Sequence, residues 1–173
     1  MEIICFGDSI TRGYDVPYGR GWVEICDASI EGVKFMNYGE DGCSVKAMIY
    51  NIEKWLPTAV ADPTRQIFLM CGTNDILQGR DSAYVFKTLV KAIELASTKG
   101  KVIIGLETQI DSDMDGLDLV VRDVNEQLKA YAEEHDLKVI DFYTTLYEAD
   151  QIGQIVLLQD AFFRQFVDFF WIM

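Results

Sequence analysis

Short apolar runs alternate with longer amphipathic ones along the chain, and this alternation constrains its fold more than any other feature. Ile3 to Phe6, Val33 to Tyr38, Gln66 to Cys71, Val102 to Leu106 and Lys138 to Phe142 each have the length of a strand. Several are apolar almost throughout, as a strand must be when both faces of its sheet are covered. Helical patterns fall between them, over roughly Trp22 to Ile30, Ser44 to Trp55, Ser82 to Thr98 and Leu117 to Glu134. In the last of these, Leu117, Val120, Val121, Val124, Leu128 and Tyr131 recur at three- and four-residue steps and make one apolar stripe. Asp81 or Ser82 can cap the third helix, and Gly100 falls just past its end. Strand and helix alternating in this way imply an α/β protein with a parallel sheet sandwiched between helices. In such sheets functional groups gather at the carboxyl ends of the strands.

The 173 residues contain no repeat, linker or low-complexity stretch, which gives a single domain over 1–173. Half the residues are hydrophobic, enough for a substantial core. A net charge of −13 argues against partners that are themselves polyanions, namely nucleic acid and the anionic face of a membrane. Met1-Glu2-Ile3-Ile4-Cys5-Phe6 lacks the basic start and long apolar run of a signal peptide, and no stretch has the length of a membrane span. The four cysteines, Cys5, Cys26, Cys43 and Cys71, have no metal-ligand spacing. The expectation is a reduced, cytoplasmic protein.

Three of the expected strands end in short polar motifs. The first runs into Gly7-Asp8-Ser9-Ile10-Thr11, the second into Asn37-Tyr38-Gly39-Glu40-Asp41-Gly42, the third into Gly72-Thr73-Asn74-Asp75. Each alone reads as a turn or a helix cap. Together they carry more, because in a sheet ordered 2-1-3-4-5 these strands are neighbours, with ends about 5 Å apart. Ser9, Gly39 and Asn74 can then converge on one small volume. Acyl transfer needs a hydroxyl nucleophile and preorganised donors aimed at the oxygen that becomes negative. A glycine N–H can approach an oxyanion closely, and an asparagine amide supplies a second donor.

With these motifs the chain resembles the GDSL, or SGNH, hydrolase family. Gly-Asp-Ser-Ile matches its nucleophile block, Asn37-x-Gly39 its glycine block and Gly-Thr-Asn-Asp its asparagine block, in the family's order, and the likeness continues to about Asp160. The resemblance implies a flavodoxin-like three-layer α/β/α sandwich with a five-stranded parallel sheet. It also implies hydrolysis of small acyl esters by serine chemistry without metal or cofactor. By position, Ser9 would be the nucleophile. The Ser9 N–H, the Gly39 N–H and the Asn74 side chain would form the oxyanion hole.

The family's last block, Asp-x-x-His, is incomplete. Asp160 stands where the acid belongs, and Phe163 stands where the histidine belongs. A phenyl ring accepts no proton, so the general base is absent from its place. The single histidine, His135, precedes the fifth strand and so lies at the amino end of the sheet, on the order of 20 Å from Ser9. These residues imply a hydrolase architecture with impaired activity, with a non-catalytic ligand-binding protein on the same fold as the alternative.

The tail 161–173 holds six aromatics in thirteen residues, too much apolar surface to leave in water. It is expected to pack on the sheet or to cover a second copy of the chain, and a shift of reading frame after Asp160 would account for its composition. In the loop after the nucleophile, Arg12, Tyr14, Asp15, Tyr18 and Arg20 are candidates to line the substrate pocket. Glu40, Asp41 and Asp75 match no ion-binding loop. Asp111 to Gly116 lacks the glutamate of a calcium loop at its twelfth position, where Arg122 stands.

Overall fold

The computed structural model describes residues 1–57, 62–110 and 116–151, with side chains as far as 146. Asp160, Phe163, the aromatic tail and residues 111–115 lie outside the described residues. The strands are β1 (Glu2–Gly7), β2 (Lys34–Gly39), β3 (Arg65–Met70), β4 (Lys101–Gly105) and β5 (Lys138–Ile140). They form one sheet in the order β2-β1-β3-β4-β5, and every neighbouring pair is parallel. This is the α/β class and the strand order that the sequence implies.

Alternation along the strands sorts the core into two layers. Ile4, Phe6, Ile67, Leu69, Val102 and Ile104 face one way. They pack against α3 (Val45–Trp55), α5 (Ser82–Ser97) and α6 (Leu117–Glu134), whose buried residues include Met48, Val85, Leu89, Val121 and Leu128. Ile3, Cys5, Phe35, Phe68, Met70 and Ile103 face the other way, against Trp22, Val23 and Cys26 of α2 (Trp22–Ser29) and Phe142 of α7 (Phe142–Gln151). Trp22 meets Phe68 edge to face, with ring centroids 5.3 Å apart. The result is a three-layer α/β/α sandwich. Among the described residues no helix is long and apolar enough to cross a membrane.

The structure departs from the sequence reading at element ends. The fifth strand is only Lys138–Ile140, and Phe142 opens a helix instead of closing the strand. Asp141 decides this, because its carboxylate accepts from the Thr144 N–H (2.9 Å) and hydroxyl (2.9 Å), the pattern of a helix cap. Asp81, not Ser82, caps α5 by accepting from Tyr84 N. Gly100 is not a left-handed terminator. A side chain there would lie 2.9 Å from the Arg65 carbonyl oxygen, so the glycine admits the neighbouring strand. Two short helices at the strand ends, α1 (Ser9–Arg12) and α4 (Thr73–Leu77), do not stand out by periodicity, since one helical turn has too few residues to show it.

Candidate active site at the carboxyl ends of the strands

Ser9 is the first residue of α1 and lies half-buried directly past the end of β1. Asp8 caps that turn, accepting from the Ile10 N–H at 2.9 Å, and Gly13 ends it in the left-handed conformation. The turn folds back over the end of the sheet because Gly7 has no side chain. A Cβ there would meet Thr11 Oγ1 at 2.1 Å and the Met70 carbonyl oxygen at 2.5 Å. Two residues of the Gly-Asp-Ser motif therefore shape the turn that presents the third.

Gly39 is the register partner of Gly7 on β2, and Glu40 N donates to the Gly7 carbonyl at 3.1 Å. Its own N–H donates to Asn37 Oδ1 at 2.9 Å. Asn37 is held in turn by donating to Glu24 Oε1 at 2.8 Å. The backbone of α1 lies against Gly39, with an added Cβ placed 2.3 Å from Arg12 N and 2.7 Å from the Thr11 carbonyl carbon. The second loop is thus in van der Waals contact with the turn that carries Ser9.

Asn74 sits in α4, past the end of β3, whose Met70 pairs with Gly7. Its amide donates one hydrogen to the Cys43 carbonyl at 3.1 Å, and Cys71 Sγ donates to the same oxygen at 3.3 Å. Asp75, buried, accepts from Val45 N at 2.8 Å. The segments that follow β2 and β3 are therefore tied together by three hydrogen bonds. Ser9, Gly39 and Asn74 stand at the carboxyl ends of the adjacent strands β1, β2 and β3, in loops that touch or bond one another.

Beneath this rim lies an acid outside the three sequence motifs. Glu107 follows β4 and is 1% exposed. It accepts from the Thr73 hydroxyl at 2.5 Å and from the Thr73 N–H at 3.3 Å. Burial, with Asp8 and Asp75 adding to it, pushes Glu107 up to about 8 against the hydrogen bonds from Thr73. Asp8 is pushed up to about 6, chiefly by burial, with Asp41 and Asp75 contributing, while hydrogen bonds from the Ile10 amide and its own backbone oppose the rise. Cys71 is raised by its hydrogen bond with Cys43 and then by burial, which keeps it a neutral thiol. Glu107 is open to detection, because an acid directly after the buried run Val102 to Leu106 has no solvent to face.

A cleft of about 420 Å³ opens beside Gly39, lined by Arg12, Val16, Tyr18, Glu24 and Asn37 among others. Of the five loop residues expected to line a pocket, Arg12 and Tyr18 do so, while Tyr14, Asp15 and Arg20 are not part of this lining. Asp41 pairs with Arg12 at 2.6 Å on the exposed side of the site. No group of acids, histidines or cysteines able to hold a metal ion occurs among the described residues. His135 ends α6, bonded to the Tyr131 carbonyl at 2.8 Å and stacked on its ring at 3.9 Å. It precedes β5, three places from β1 and at the opposite end of the sheet from Ser9.

A five-stranded parallel sheet in this order, with serine, glycine and asparagine presented by its first three strand-end loops, defines the SGNH hydrolase class. The sequence matches the GDSL-like lipase/acylhydrolase family over residues 5–160, and the chain belongs to that family of ester hydrolases. It is similar to the crystal structure of a member of the lipolytic protein G-D-S-L family from Veillonella parvula, at 78% identity and a TM-score of 0.93, over 97% of each chain. A lipase/acylhydrolase from Enterococcus faecalis shares 26% identity and a TM-score of 0.63, over 83% of this chain and 76% of that one. The SGNH-hydrolase family esterase AlinE4 shares the fold at 18% identity and a TM-score of 0.64, over 80% and 74%. No curated protein matches the chain.

Proposed function

We propose that the chain hydrolyses small acyl esters through Ser9, slowly, because the family's histidine is replaced by Phe163. The observation that carries this reading is the meeting of the Ser9 turn, the Gly39 loop and the Asn74 helix at one rim of the sheet. The Ser9 hydroxyl oxygen attacks the ester carbonyl, and the carbonyl π bond becomes a tetrahedral oxyanion. The second hydrogen of the Asn74 amide and the Ser9 N–H stabilise that charge. Gly39 joins them when its N–H is released by, or shared with, Asn37 Oδ1. Collapse expels the alkoxide, which takes a proton from solvent to become the alcohol, and leaves an acyl-serine, which water hydrolyses to the free acid and Ser9.

The weak step is the proton on Ser9. With Phe163 three residues after Asp160, it passes to solvent instead of an imidazole. In subtilisin, loss of the catalytic histidine costs about a millionfold in turnover, while the oxyanion hole and binding alone retain roughly a thousandfold over water. The cleft beside Gly39, walled by Arg12, Tyr18 and Glu24, suits a small polar acyl or alcohol group. The four free, buried cysteines suit a reducing, cytoplasmic setting. Sedimentation of the full chain against one ending at Asp160 tests self-association through the aromatic tail.

Hydrolysis of p-nitrophenyl acetate by the full chain and by Ser9→Ala tests the reading. Weak turnover lost in the alanine variant supports it, and turnover indifferent to Ser9 defeats it. Phe163 favours a second reading, a ligand-binding protein on a hydrolase fold. Saturable binding of a short-chain ester without Ser9-dependent turnover would establish that instead.

A further inference from the structure

Glu107 takes no part in the steps just described, yet it is among the most completely buried acids of the protein. The ion pairs among the described residues join Arg12 to Asp41, Lys34 to Asp27, Arg122 to Asp118 and Lys129 to Asp141, and none reaches it. A carboxyl buried without a counter-charge is costly, so what it holds becomes the question. Its backbone is fixed on both sides by Asn125 of α6, itself 4% exposed. Asn125 Oδ1 accepts from Glu107 N at 3.0 Å, and Asn125 Nδ2 donates to the Glu107 carbonyl at 2.9 Å.

From that anchored backbone, one carboxyl oxygen takes both donors of Thr73. Thr73 opens α4, whose cap residue, Gly72, has no side chain to satisfy the first amides. Glu107 supplies, from the loop after β4, the acceptor that the cap position lacks. The next residue is Asn74, whose amide is gripped from the other side by the Cys43 carbonyl.

We propose that Glu107 is a positioning residue of the oxyanion site, clamping Thr73 from behind so that the Asn74 amide points at the reacting carbonyl oxygen. This rests on the reading of Asn74 as an oxyanion donor. The clamp couples the loop after β4 and helix α6 to the reaction centre. An uncharged amide of the same shape can accept both hydrogen bonds through its one oxygen, so Glu107→Gln keeps the clamp and Glu107→Ala removes it.

The test is a double-mutant cycle on p-nitrophenyl acetate with the full chain, with melting temperatures recorded alongside. Asn74→Ala is expected to lower kcat about a hundredfold, as loss of an oxyanion donor does. Glu107→Ala is expected to lower kcat roughly tenfold with KM within about twofold, to cost less than about twofold once Asn74 is gone, and to be reversed by Glu107→Gln. Effects that multiply independently, or a folded Glu107→Ala with unchanged kcat, overturn the proposal. Should Glu107→Ala not fold, Thr73→Val enters the same cycle with the same expectations.

The side-chain amide resonances of Asn74 give a readout independent of turnover. Glu107→Ala is expected to shift them and Glu107→Gln to restore them. If Ser9→Ala leaves hydrolysis untouched, the serine reading fails while these resonances still decide the clamp. Resonances indifferent to Glu107 overturn it.

Discussion

Gly39 lies so close to Arg12 that the first carbon of any side chain on it would fall 2.3 Å from the Arg12 backbone nitrogen. The obstacle is helix backbone, which cannot rotate away as a side-chain tip can. Gly39→Ala must therefore push α1, and Ser9 with it, off the end of the sheet. The expected cost is about 1–3 kcal/mol of stability from overpacking. Ser9-dependent hydrolysis should fall further than that loss explains, measured on the fraction that remains folded in urea titrations. Wild-type stability and turnover in Gly39→Ala would refute this close approach.

Glu107 and Asp8 set a pH dependence of stability opposite to that of ordinary paired acids. Their folded values, about 8 and about 6, stand above the ordinary 4.5 and 3.8. Between those limits the folded chain keeps protons that the unfolded chain has released, so stability falls as pH rises, by up to ~1.4 kcal/mol per pH unit for each group. Asp8 acts from about pH 4 to 6 and Glu107 from about 4.5 to 8, so above pH 6 Glu107 dominates. Asp27, Asp62 and Asp141 have lowered values, and their stabilisation is lost only at more acid pH. The groups acting on Glu107 are Asp8, Asp75 and Thr73, with the neutral thiol of Cys71 nearby. Urea unfolding at pH 6, 7 and 8 should show declining stability in the wild type and a nearly flat profile in Glu107→Gln. Parallel profiles would contradict a protonated Glu107.

The sheet and its order were legible because strands buried on both faces leave little room for polar residues, as Ile3 to Phe6 and Ile67 to Cys71 illustrate. Ser9, Gly39 and Asn74 could be placed at one rim from sequence because their motifs fall at the carboxyl ends of β1, β2 and β3. Hydrogen bonds between distant residues are not written in local sequence. Asn125 reads as an interruption beside Val124 in the apolar stripe of α6, and only the fold brings Glu107 to it. The side-chain acceptor for the Gly39 N–H was likewise invisible, since Asn37 reads as part of a motif and not as a competitor for that hydrogen. Phe142 reads as the end of a strand until Asp141 is seen capping the helix it begins.

Asn125 satisfies two buried backbone groups with one side chain, the N–H and the carbonyl of Glu107. Asn125→Leu has similar volume and no hydrogen-bonding atom, so both groups lose their partner. At about 1–3 kcal/mol for each of the two unsatisfied groups, the expected loss is about 2–6 kcal/mol. Asn125→Asp can still accept from the N–H but cannot donate to the carbonyl when ionised, and should fall between. Chemical denaturation of the three proteins gives the order, and a leucine variant as stable as wild type would remove Asn125 from this role.

The identity of the base separates two histidine substitutions. His135 is bonded to the Tyr131 carbonyl at the far end of the sheet, so His135→Ala should change Ser9-dependent turnover by less than about twofold, having no path to the proton it would need to take. Phe163→His restores the family's Asp-x-x-His spacing with Asp160, and general-base catalysis contributes typically about 10²–10⁴-fold where the geometry is right. Turnover should therefore rise by at least about tenfold, with a new dependence on an ionisation near neutrality. The gain must vanish when Ser9→Ala is added, because an imidazole that hydrolyses the ester on its own would owe nothing to the serine. A large loss in His135→Ala would instead show that a histidine distant in this structure reaches Ser9, and the assignment of a baseless site would fall.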